Sequence, residues 1–177
     1  MKVFSKKVSF WAAIILCTII ISEAYAKPEN NYSVKANIIY RFTKYIDWPQ
    51  NKKNGDFIIG IIGETPLYDE LKIYTWNKKV GAQNIVVINF SSSASAYNCS
   101  ILIITEDASP SLRRIAALTA DAPILIVSEN NSLARRGSCI NFVVVNDHLK
   151  LEFNKNNIEQ RKLKIASELL DLGTIIN

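Results

Sequence analysis

The chain has 177 residues, 49% hydrophobic and 21% charged, with 21 lysines and arginines against 16 aspartates and glutamates for a net charge of +5. At this length one domain can bury a sizeable core without disulfide or metal staples, and no second domain is needed. The small positive excess favours solubility and does not nominate a polyanionic partner such as nucleic acid.

The first segment reads as a processing signal. Residues 1–7, MKVFSKK, are basic, and residues 8–21, VSFWAAIILCTIII, form an unbroken apolar run. SEAYA follows and puts Ala24 and Ala26 at the two positions where a signal peptidase needs small side chains. This three-part pattern predicts a secretory signal peptide over residues 1–26, cleaved after Ala26. The apolar run falls short of the roughly 20 residues of a membrane span. Leu16, before Cys17, is not the small residue a lipidation signal would carry. Removing this segment takes Lys2, Lys6, Lys7 and Glu23 with it, so the net charge falls by two, to +3.

Residues 27–32, KPENNY, are polar and read as a flexible leader, leaving residues 33–177 as a single domain. Ser33 is a plausible N-cap, and Val34, Ile38, Phe42, Tyr45 and Ile46 recur at helical spacing until Trp48, where Pro49 disfavours further helix. Phe57 to Gly63 is a continuous apolar run closed by glycine, and Thr65-Pro66 then starts a helix. Further runs at 83–90, 100–105, 123–129 and from Cys139 onward read as strands, with a helix from Ser109-Pro110 and a short helical turn around Leu133 and Ala134 that ends at Gly137. These runs are β-branched and continuous, as in strands covered on both faces. Leu149, Leu151 and Phe153 instead alternate; with Asp147 and His148 as the turn, they predict an antiparallel hairpin whose second strand is an edge. A long amphipathic helix is expected over residues 158–176, with Ile158, Ile165, Leu169 and Leu172 on one stripe. The expected fold is therefore α/β: a three-layer sandwich with a mainly parallel central sheet flanked by helices and an antiparallel hairpin near the C-terminus.

Chemistry is sparse along this frame. Gly60 and Gly63 lack the spacing of a dinucleotide fingerprint, and no Gly-Lys-Ser/Thr ending makes a phosphate loop. His148 is the single histidine, in a surface turn, with no serine in a nucleophile elbow. One histidine and two distant cysteines do not form a zinc pattern. No catalytic residue, metal or cofactor is expected, and the chain reads as a non-enzyme. Glu64, Asp69 and Glu70 near a helix start are explained by the helix dipole. Cys99 and Cys139 form the candidate disulfide, since an oxidising compartment permits one; their pairing is left open, depending on whether their strands are neighbours. Tyr40 and Trp48, at the margins of the first helical stripe, and the doublets Arg113-Arg114 and Arg135-Arg136 are candidate interface residues.

The order of these motifs resembles the YfiR-like family of periplasmic regulators. The matching elements run from Lys35 to Pro49 (K-A-x-x-x-Y-x-F-x-K-Y-x-x-W-P), Phe57 to Gly63, Cys99 to Ile104, Pro123 to Ser128, and Asn146 to Asn154. The resemblance implies a periplasmic, non-catalytic repressor that binds the periplasmic sensor domain of an inner-membrane diguanylate cyclase and lowers cyclic di-GMP output, and with it biofilm formation. It also implies dimerisation and redox sensitivity. The chain departs from the type in holding two cysteines where the type has more, and in reading Asn-Asp-His where an arginine is expected. The alternative from the sequence is a periplasmic small-ligand sensor signalling to another membrane receptor such as a histidine kinase. Loops after Gly63, Thr105 and Ser128 would converge at the carboxyl ends of a parallel sheet, where such folds bind ligands.

Overall fold

The computed structural model describes residues 32–130 and 133–176. The expected signal peptide with its cleavage after Ala26, and the leader up to residue 31, lie outside the described residues.

The first helix, α1 (Tyr32–Tyr45), buries Ala36, Ile39 and Phe42. Its start is pinned by Lys35, whose ammonium lies 3.0 Å from a Glu129 carboxylate oxygen in a mostly buried ion pair. The sequence carries the helix on to Trp48, but Ile46–Asp47 leaves it as a two-residue strand, β1. The proline at 49 favours extended backbone just before it, and a strand partner near the C-terminus fixes that conformation. Val34 and Tyr45, assigned by spacing to the core stripe, are both exposed.

The central sheet is built from β2 (Phe57–Ile62), β3 (Lys79–Val80), β4 (Gln83–Asn89), β5 (Ile101–Ile104), β6 (Leu125–Glu129), β7 (Ile140–Val145), β8 (His148–Asn154) and β10 (Thr174–Ile176), in the order β10-β8-β7-β6-β5-β2-β4-β3. β4, β2, β5, β6 and β7 are mutually parallel. Every residue of β5 is buried, as are Ile59 to Ile62, which accounts for the unbroken apolar runs. Gly60 leaves room for the Phe90 ring; a Cβ there would come within 2.6 Å of it.

Helices cover both faces. α2 (Leu67–Thr75) links β2 to β4 and packs beside α1, with the Tyr40 and Tyr74 rings edge-on at 5.8 Å. α3 (Leu112–Leu118) links β5 to β6 in the opposite direction across the sheet. Right-handed crossovers therefore place it on the other face. The fold is the expected three-layer α/β sandwich with a mainly parallel sheet.

β7 and β8 form the expected antiparallel hairpin, but its two-residue turn is Asn146-Asp147, both with positive φ (51° and 60°) as a primed turn requires. His148 is thus the first residue of β8. A polar network joins the hairpin to the parallel strands: Asn141 accepts from the Ser128 hydroxyl and donates to the Asn130 carbonyl and a Glu152 carboxylate oxygen.

The largest correction concerns the C-terminus. The single long helix is replaced by α4 (Lys155–Gln160), β9 (Lys164–Ile165), α5 (Ser167–Leu170) and β10. Asn154 caps α4 by accepting from the Asn157 amide, and Lys162 turns the chain at φ 59°. β9 then pairs antiparallel with β1, Ile165 opposite Ile46. Gly173 allows close approach to β8, since a Cβ there would lie 2.4 Å from the Leu151 carbonyl oxygen. β10 continues parallel to β8, so β8 is covered on both edges and is not the edge strand the hairpin pattern suggested. Ile158 and Leu169 of the proposed stripe are buried and Leu172 is exposed, so the spacing tracked burial in part without tracking helix.

Candidate functional site

In an open parallel sheet a ligand is expected at the carboxyl ends of the strands, where successive crossovers diverge. Here that point lies between β2 and β5, and the chain fills it with its own side chains. The Thr105 hydroxyl donates to the Ile62 carbonyl at 2.9 Å and also contacts Asp107. The Asp107 carboxylate is held below the usual carboxylate range chiefly by the Thr105 hydroxyl, against an opposing effect of burial, with lesser help from the backbone amides of Glu64, Asp107 and Ala108. This carboxylate of the chain itself, although exposed, therefore takes the amides that could have cradled an external anion. Gly63, at φ 99°, serves this closure, because a Cβ there would stand 1.8 Å from the Thr105 hydroxyl oxygen.

The two cysteines do not meet. Cys99 precedes β5 and Cys139 precedes β7, and β6 runs between those strands. Two strand spacings amount to about 10 Å. Cys139 also stands level with Ile126 and Leu102, three residues further along the sheet than Cys99. Both are buried free thiols, so the bridge considered from the sequence does not form in this structure. Burial pushes the Cys99 thiol up to about 12, slightly offset by Lys52. It pushes Cys139 up to about 11, offset by the neighbouring Arg161 guanidinium.

Of the interface candidates, Trp48 is only 5% exposed. Its indole packs edge-on against Phe57 at 5.0 Å and donates to the Ser100 carbonyl at 3.2 Å. It belongs to the core, which corrects its assignment to the stripe's accessible edge. Tyr40 is half-buried between Tyr74 and two lysines, with the Lys44 and Lys78 ammonium groups 5.2 and 4.8 Å from its ring centroid. Arg114, although exposed, is tied to its own domain: its guanidinium donates to the carbonyls of Ser92 and Ala94 and to the Tyr97 hydroxyl, holding the serine-rich loop against α3. Arg113, Arg135 and Arg136 are exposed. The turn bearing the last two packs on α3, since a Cβ on Gly137 would come 2.7 Å from the Ala116 Cβ. The arginines therefore share the α3 face, away from Tyr40.

Sequence reasoning missed two features. The first is Arg161, a buried guanidinium that donates to the carbonyls of Ala116 and Thr119 and to the Thr119 hydroxyl. It caps the C-terminal end of α3, where carbonyls lack helical partners. Burial holds its pKa below the ordinary guanidinium value.

The second is a groove of about 580 Å³ on the opposite face, between α1, the hairpin and α5. Ile38, Leu149, Leu151, Leu169 and Leu172 line it, with Tyr74 at one side. Asn37 and Arg41 give it a polar lip, the Arg41 guanidinium donating to the Asn37 side-chain oxygen at 3.0 Å. Leu172 is 57% exposed; Val144, which pairs with Leu149 across the hairpin and so shares its face, is 63% exposed. The alternation of Leu149, Leu151 and Phe153 marked this apolar face, but nothing in it told how little of the outer part would be covered. His148 is exposed at the start of β8. Among the described residues, no three histidine, cysteine, aspartate or glutamate side chains converge as a metal site, and no helix is long and apolar enough to cross a membrane.

With this geometry in place, comparison with known proteins gives a family. A family model described as YfiR/HmsC-like matches residues 32–174. No curated protein matches the chain. The chain belongs to the YfiR/HmsC-like family, whose members are periplasmic regulators of cyclic di-GMP signalling and are generally regulatory rather than catalytic.

Proposed function

We propose that this YfiR/HmsC-like chain is a periplasmic repressor, exported by a signal peptide cleaved after Ala26, that binds the periplasmic sensor domain of an inner-membrane diguanylate cyclase. Binding lowers cyclic di-GMP output and with it biofilm formation. The observation that carries this reading is the apolar groove between α1 and the β7–β8 hairpin. Its lining is continuous with exposed Val144 and Leu172 and rimmed by Asn37 and Arg41. A contiguous apolar surface with a polar rim is what a protein-docking site requires. Family membership supplies the class of partner.

The small-ligand reading has less support, because the Asp107 carboxylate already engages the Thr105 hydroxyl and the amides at the point where such a ligand would be held. Homodimerisation belongs to the same proposal, with Arg113, Arg135 and Arg136 on the α3 face as its proposed rim; sedimentation velocity on a variant with all three changed to Glu checks this. Deletion of the gene is expected to raise cellular cyclic di-GMP, and the protein recovered from the periplasm is expected to capture a cyclase sensor domain. Unchanged nucleotide levels together with no capture would sink the proposal.

A further inference from the structure

We infer that the C-terminal end of α2 is a docking site for an anionic lipid surface. Ile73 and Trp76, three residues apart and therefore on one side of its last turn, are 73% and 78% exposed. They are the two most exposed large apolar side chains among the described residues. An indole that is apolar in its body and polar at its N–H suits the boundary between acyl chains and headgroups.

The charges around the Trp76 end of this wedge are lysines. Lys72 precedes Ile73, and Lys78 and Lys79 follow Trp76; all three line the groove of about 420 Å³ beside the indole. Lys44 joins them, since it and Lys78 flank the same Tyr40 ring. The acids of α2, Asp69 and Glu70, sit in its first turn, one turn from Ile73 and about two from Trp76, so the positive field is centred on the indole. Asp47 is engaged by Lys53 at 2.8 Å.

The fold gathers these lysines at one end of the sheet, although Asp56 and Asp121 also stand before β2 and β6 at that end. α1 starts beside Glu129 at the carboxyl end of β6, and the segment after α1 reaches the amino end of β5, where Lys52 donates to the Cys99 carbonyl. α1 and α2 therefore both finish at the amino ends of the parallel strands, and the lysines stand there. Glu64, Glu106 and Asp107 follow the carboxyl ends of β2 and β5, at the opposite end of the sheet.

A protruding apolar pair between lysines complements a flat phosphate-bearing surface without further shaping. A protein would have to supply both a pocket for Trp76 and carboxylates placed against four lysines. The inference depends on export of the chain but not on the repressor reading, so either can fail alone.

The test is co-sedimentation of the protein recovered after export with vesicles of phosphatidylglycerol and phosphatidylethanolamine, and separately with vesicles of phosphatidylcholine. Binding is expected with the anionic vesicles only and is expected to weaken with added salt. Trp76 emission should move to the blue on binding, while buried Trp48 contributes a constant background. Lys78→Gln and Lys79→Gln should each lower partitioning by about fivefold. Trp76→Ala should lower it further, and Arg113→Gln on the other face should leave it unchanged. Trp76, Lys79 and Arg113 are exposed, so those variants should melt like the parent, whereas Lys78 is half-buried against the Tyr40 and Tyr74 rings, so the variants that change it are compared well below their own melting temperatures. Equal binding to both vesicle types, no sedimentation with either, or a Trp76→Ala/Lys78→Gln/Lys79→Gln variant that sediments like the parent would overturn the inference. Capture of an acidic protein through these residues without vesicle binding would overturn it too.

Discussion

Trp48 offers the sharpest mutational test of how the sheet is anchored to α1. Replacing it by alanine removes a side chain that is nearly fully buried, ends the edge-on contact with Phe57 and deletes the hydrogen bond to Ser100. The Ser100 carbonyl still accepts from the Leu125 amide at 2.9 Å, so it is not left without a partner, and the lost bond accounts for about 1 kcal/mol. The aromatic pair adds about 1 kcal/mol. The cavity supplies the rest, for a total of about 3 to 5 kcal/mol. That is a large share of the roughly 5 to 15 kcal/mol by which domains are stable. Trp48→Phe keeps most of the apolar contact and should cost about half as much. Urea unfolding followed by far-ultraviolet circular dichroism reads both. A loss below about 1 kcal/mol for Trp48→Ala, combined with loss of partner binding, would show that the indole faces a partner and that the packing argument is mistaken.

Other outcomes follow from the same physical reasoning. Arg161→Met should destabilise by about 2 to 4 kcal/mol in urea, because it strips donors from the Ala116 and Thr119 carbonyls; a neutral result would mean water replaces the guanidinium. Cys99 and Cys139 should resist maleimide at pH 8 in the folded protein and react once it is unfolded, since burial holds both thiols protonated; fast labelling of the native state would contradict their placement. Because the folded thiols titrate near 12 and 11, well above the ordinary 9.0, their contribution is fully present below pH 9 and should be lost as pH rises through the folded values. Asp107 has the opposite sign: its lowered pKa contributes stability above about pH 4 that should fade as pH falls through the folded value. Asp107→Asn should flatten that acid limb in melting curves, and an unchanged limb would refute the role given to the carboxylate.

The parallel sheet was legible because strands buried on both faces leave continuous apolar runs, as β2, β5 and β6 did; β4 and β7 gave similar runs although β4 buries only Gln83 and Val87 and β7 ends exposed at Val144 and Val145. The hairpin was legible from alternation, within one residue of its true turn. The C-terminal region was not. Ile158, Ile165 and Leu169 satisfy helical spacing while belonging to three different stretches of backbone, α4, β9 and α5, and their burial, partial for Ile165, comes from contacts with distant parts of the chain. Only tertiary pairing decides that region: β9 pairs with β1, where Ile165 faces Ile46 from 119 residues away, and β10 with β8, where Thr174 faces Glu152 from 22 residues away, and neither pairing leaves a local pattern. Trp48 was misplaced for a related reason: as a helix residue it would sit at the stripe's edge, but the chain turns extended at Ile46 and drives the indole inward. The groove escaped notice because each of its apolar residues reads as ordinary core. Incomplete cover is a property of the assembled faces.

Docking in the groove is the central claim, and the affinity of the cyclase sensor domain for the parent and for a Leu172→Glu/Val144→Asp variant tests it most directly. Both side chains are exposed, so the variant should fold like the parent, as its melting curve will verify. Calorimetric titration is expected to show binding to the parent and at least about a thirtyfold loss in the variant, the weakening expected when a buried apolar anchor is replaced by charge. Equal affinities for parent and variant would contradict the account.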